Sequence, residues 1–187
     1  MRERQYAAAI VEELGYLPVA VIQAGCFIKM QKCLADYLDR LKRSRRKLLR
    51  WPASIQNDRL KYAHSAYAAF DTTIGVLSIR ALQILGILSF YHFANFPRPL
   101  VALAASKGFN YDPFDLFDRT PEYQESIALL KQIFCPDGDE FDEFEFDEIL
   151  EELQKYSLIT LVPVYSTVTL RLHPLVHAWS RDRLSEK

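Results

Sequence analysis

The stretch FDEFEFDEILEELQKYSLITLVPVYSTVTLRLHPLVHAWSRDRL, Phe141–Leu184, decides the fold class. Phe146, Ile149, Leu150 and Leu153 recur at helical spacing while Glu143, Glu145, Asp147, Glu148, Glu151 and Glu152 cover the remaining faces, so an amphipathic helix is expected. Two β-rich runs, Leu158–Val164 and Val168–Leu172, flank Tyr165-Ser166-Thr167 and read as a hairpin. A last helix opens at Pro174, where a missing N–H costs nothing, and uses Leu175, Val176, Trp179 and Leu184 as its core face. Phe141, Phe144 and Phe146 are expected to staple the acidic helix to the core.

Upstream of this block the chain reads as helices. Asp71 or Thr72 is positioned to cap one long helix running through Ile74, Leu77, Ser78, Ala81, Leu82, Leu85 and Leu88. FPRP, ending at Pro99, breaks the pattern and starts a short helix, Leu100–Ala105, that Gly108 closes. Residues from about 110 to 138 are rich in aromatics, Asp and Pro and read as an insertion carrying one helix, Pro121–Phe134. Helices followed by a hairpin and a final helix give a winged helix from residue 51 to 187.

A smaller helical unit, residues 1–50, precedes it. Tyr6, Ala7, Ile10, Val11 and Leu14 form a helical stripe that stops at Gly15. Leu17-Pro18 then starts a second helix, with Val19, Ile22, Cys26 and Phe27 expected in its core and Ala20, Ala24 and Gly25 allowing close approach. Leu34, Tyr37, Leu38 and Leu41 face inward on a third. The run Lys42–Lys47 is read as its solvated basic end, and Trp51-Pro52 with SIQNDR as the boundary between the units. The expected fold class is mainly α: a small helical subdomain, then a winged-helix subdomain with one β-hairpin.

The 23 Lys+Arg nearly balance 24 Asp+Glu, so no global field favours nucleic acid or an anionic membrane. A recognition helix crowded with acids opposes insertion into a phosphate-lined groove. The longest apolar run, Ile74–Phe96, is interrupted by Arg80, Gln83 and His92, which argues for a buried helix and against a membrane span. Three irregularly spaced cysteines, Cys26, Cys33 and Cys135, fit reduced thiols packed in a cytoplasmic protein. The acids of 137–152 lack the ligand spacing and central glycine of a calcium loop, and His173 with His177 lacks the further ligands of a metal site. No GxSxG or paired-acid arrangement points to an independent enzyme.

Two strings carry a resemblance. ELGYLPVAVIQAGCFI, Glu13–Ile28, is similar to the "GLPLA" segment of NB-ARC proteins, which include plant resistance proteins, apoptotic protease-activating factors and fungal STAND ATPases. LRLHPLVHAW, Leu170–Trp179, resembles the strand-to-helix junction that holds the "MHD" histidine of the same family. The resemblance implies that Pro18 packs against a nucleotide base and that His173 reaches the β-phosphate of ADP in the closed state. It implies an intracellular signalling or defence switch, with TPR-like repeats and homo-oligomer formation in the full-length protein. Pro174 departs from the family's aspartate. No GxxxxGK(S/T) loop is present, so ADP or ATP would bind only with a P-loop domain supplied elsewhere, and the chain is expected not to hydrolyse ATP alone. The alternative is a helical scaffold, without nucleotide, that packs against a helical-repeat segment.

Overall fold

The computed structural model describes residues 2–48, 60–110, 119–136, 138 and 140–184. The linker placed at Trp51–Arg59 lies outside the described residues, as does part of the insertion. Among the described residues the chain forms nine helices and three strands, a mainly α fold with a hairpin.

Helix α1, Arg2–Glu13, ends as the glycine foretells. Gly15 sits at φ 64°, its N–H reaches the Glu12 carbonyl at 2.9 Å, and the Tyr16 N–H reaches Val11 at 3.1 Å. These crossed bonds satisfy carbonyls that the helix end would otherwise leave open. Helix α2, Pro18–Gln31, starts at the proline. Its buried face differs in part from expectation: Phe27 points inward as expected and Ala20 and Ala24 lie at a close approach, but Gln23 is buried with them, Ile22 is 57% exposed, and a Cβ at Gly25 would meet nothing within 4 Å. The helix is apolar nearly all round, so its partner selects the face.

That partner is α4, Leu60–Ile74, which also packs on α3, Leu34–Leu48, and on the last helix, α9, Pro174–Leu184. Ala66, Ala68, Ala69, Phe70 and Thr73 of α4 are fully buried. The single long helix expected across this region is two. It breaks after Ile74, and α5, Ile79–Leu88, restarts with Ser78 as its cap, the Ser78 hydroxyl accepting the Ala81 N–H at 3.1 Å. Asp71 and Thr72 therefore lie in the last turn of α4 and cap nothing.

Next come the short strand β1, Phe96–Pro97, and helices α6, Pro99–Ser106, and α7, Pro121–Phe134. Helix α8, Glu143–Lys155, buries Phe146, Ile149, Leu150 and Leu153 as its spacing requires. Strands β2, Ile159–Val164, and β3, Thr167–Leu172, form the expected hairpin, closed by Val164↔Thr167. A third strand, not expected, completes the sheet: β1 pairs antiparallel with β3 through Phe96↔Leu170, giving the order β1-β3-β2. Both proline-containing strands are edges, where a missing N–H is tolerated. Phe144, expected to staple α8, is instead 74% exposed, two residues and so half a turn from buried Phe146.

One contiguous core joins Leu14, Phe27 and Tyr37 to Phe70, Leu150 and Trp179. Among the described residues, no helix is long and apolar enough to cross a membrane.

Candidate functional site

Pro18 follows Leu17, whose extended backbone (φ −71°, ψ 117°) is what a residue before proline must adopt. No side chain caps α2. The proline is exposed, and one turn further on so is Ile22, while Tyr16, beside it on the left-handed turn, is 71% exposed. The start of α2 thus presents an apolar strip, Tyr16, Pro18 and Ile22.

His173 lies at the junction of β3 and α9. Its carbonyl accepts the His177 N–H at 3.0 Å, and its Nδ1 accepts the Leu175 N–H at 3.2 Å. Those two bonds define an N-cap, so the histidine itself caps α9 ahead of Pro174. With Nδ1 accepting, the neutral ring carries its proton on Nε2. Partial burial lowers the imidazole pKa below its usual value and favours that neutral form.

The loop between α5 and β1 wraps this junction. Leu172 donates its N–H to the Phe93 carbonyl at 2.7 Å, and His177 Nε2–H donates to the Tyr91 carbonyl at 2.8 Å. Phe93 stacks on His92 at 4.4 Å and meets the His177 ring edge-on at 6.1 Å. Three of the chain's four histidines therefore gather at one corner.

Pro18 and His173 are both on the surface, and among the described residues no hydrogen bond joins them. Their surroundings differ, the α1–α2 turn for one and the 91–95 loop for the other.

Trp179, expected in the core of α9, is held against α4 by partners that the sequence did not assign to it. Asp71, 13% exposed, accepts from Trp179 Nε1 and Arg183 Nη1 through one oxygen, both at 2.9 Å. Phe70 packs on the Trp179 ring at 5.4 Å, and the Tyr67 hydroxyl donates to Asp182 at 2.8 Å. Burial, then that hydrogen bond, raises the Tyr67 pKa. The signal was available as matching sets at i, i+3 and i+4, Tyr67-Phe70-Asp71 on α4 and Trp179-Asp182-Arg183 on α9.

The acids of α8 are partly consumed within the fold. Asp142 caps the helix, accepting from Phe144 and Glu145 N–H at 2.7 and 3.1 Å. Glu145 pairs with Arg80 at 3.0 Å, Asp147 with Arg98 at 2.8 Å, and Glu152 accepts from the Ser78 N–H and hydroxyl at 2.6 and 2.7 Å. Cys33 and Cys135 are buried, and burial pushes the Cys33 thiol pKa up, opposite to an activated nucleophile. No group of three or more His, Cys, Asp or Glu among the described residues could hold a metal ion. Compared with protein-family models, curated proteins and solved structures, the chain matches none.

Proposed function

We propose that the chain is the regulatory and interaction module of an NB-ARC-type nucleotide-dependent switch of the cytoplasm. In this reading it supplies Pro18 and His173 to an ADP site completed by a P-loop domain in the full-length protein or a partner chain, and it does not hydrolyse ATP alone. The observation that carries the reading is the setting of His173. The histidine caps α9 with Nδ1, which leaves Nε2–H as the donor available to a phosphate oxygen. Pro18 supports it from the other end, because the Tyr16, Pro18 and Ile22 strip offers the flat apolar contact that a base requires. Exchange of ADP for ATP would then shift a domain arrangement in proportion to the differential affinity of the two states.

The test is calorimetric titration of ADP into this chain alone and into its mixture with a candidate P-loop domain. No heat is expected from the chain alone, and binding from the mixture. His173→Ala in the mixture should weaken binding by about tenfold, the order of one charge-assisted hydrogen bond. Unchanged affinity would remove the phosphate contact. A second reading, a scaffold that packs against helical repeats without nucleotide, is favoured by the exposed apolar side chains Tyr16 and Ile22 beside Pro18. It predicts association with a repeat segment that ADP leaves unaltered.

A further inference from the structure

We infer that the His173 cap makes the first turn of α9, and the 91–95 loop pinned to it, a proton-sensitive corner that loosens on mild acidification. The inference starts from the cap geometry and does not depend on the nucleotide reading. An N-cap works by accepting N–H groups at the helix start, and the usual capping side chains, Ser, Thr, Asp and Asn, still accept near neutral pH. Imidazole is different. When Nδ1 takes up a proton it becomes a donor aimed at the Leu175 N–H, which lies 3.2 Å away, so the attraction turns into opposition between two donors. The ring also becomes a cation at the positive end of the α9 dipole, which acts in the same direction.

The consequence is local because the two ends of α9 are held differently. At the near end, Val176 is buried and His177 holds the Tyr91 carbonyl, so fraying of the first turn releases the loop carrying His92 and Phe93. At the far end, Asp71 still binds Trp179 and Arg183. The titratable and charged groups around the cap are few. His177 stands one turn along α9 and His92 on the loop. Arg171, two residues back on the same face of β3, lies 3.4 Å from Asn95 Oδ1 through its guanidinium. From α4, Asp71 and Tyr67 engage only the later turns, and α5 meets α9 through the Leu85 carbonyl and Ser180. His177 keeps its Nε2 donor in both protonation states, so its bond to Tyr91 does not itself reverse.

The sign follows from linkage. The folded His173 holds its proton less tightly than the unfolded chain, whose imidazole titrates near 6.5. Stability from the cap is therefore present above that value and lost as pH falls through it toward the lower folded pKa. Two-dimensional NMR of the isotope-labelled chain between pH 7.5 and 5 reads both partners. The protection factors of the Leu175 and Val176 amides, their exchange rates taken relative to the unfolded chain at the same pH, should fall about fivefold once the His173 ring titrates, the size of a lost N-cap. His173→Asn, which caps without titrating, should abolish that acid response, and Tyr91 and Phe93 signals should follow the same midpoint in the wild type only. Amide protection that stays constant while the His173 ring titrates, or an equal acid response in His173→Asn, would overturn the inference.

Discussion

Helix α4 is held on two sides by different physics. Toward α1 and α2, Ser65, Ala69 and Thr73 stand in one row at i, i+4 and i+8, with Ser65 donating to the Glu13 carbonyl at 3.4 Å and Thr73 accepting from Gln23 at 2.5 Å. The buried alanine between them lets two backbones approach. Toward α9 the contact is a tilted aromatic pair, Phe70 and Trp179, framed by Asp71–Arg183, Asp71–Trp179 and Tyr67–Asp182. The first face combines small side chains with two neutral hydrogen bonds, and the second combines large rings with a charged acceptor. The second alone carries a carboxylate that gathers two donors, so it alone should answer to the loss of a single charged side chain.

The contrast breaks most severely at Trp179. Trp179→Ala deletes a ring that is 1% exposed, leaves Asp71 short of a donor, and should cost about 4 kcal/mol by urea denaturation. A loss below about 1 kcal/mol would show that α9 contributes little to the core. On the opposite face, Ala69→Leu adds volume where nothing can yield and should cost about 2 kcal/mol. Its effect should not change with salt, as fits a contact without charges, and a salt-dependent loss would show that this face too relies on electrostatics.

The same contrast explains what could be read from the sequence. Pro121–Phe134, the Gly15 and Gly108 helix ends, the Pro18 and Pro174 starts and the hairpin all follow from local chemistry, and the structure has them. Local rules failed where a neighbour decides. In α2, apolar on nearly every side, the small side chains of Ala20 and Ala24 mark a place for close approach, but nothing indicates that Gln23 is buried and Ile22 exposed, because that choice belongs to α4. A two-residue strand has no period to detect, so Phe96–Pro97 read only as a breaker. The break at residues 75–78 depends on Ser78, which Glu152 of α8 holds from 74 positions away. At the candidate site, His173 as an α9 cap depends on backbone geometry that no motif states.

The smallest effect sharpens the comparison most, because it isolates one bond of the α9 face. Tyr67→Phe keeps the ring packing and removes only the hydroxyl that reaches Asp182 at 2.8 Å. The loss at pH 8 should be about 1 kcal/mol, the net worth of one such hydrogen bond. Its pH dependence separates this bond from packing. The folded phenol is held above its usual value of 10.0 by burial and by the carboxylate, so the unfolded chain releases its proton first as pH rises. Stability from Tyr67 is therefore complete below about pH 10 and declines above it. The melting-temperature gap between wild type and Tyr67→Phe, measured at pH 8 and again at pH 10.5, should narrow, since the variant has no phenol to ionise at that position. A gap that stays constant would mean that the hydroxyl is hydrated in the folded state and that α9 is held at Asp71 alone.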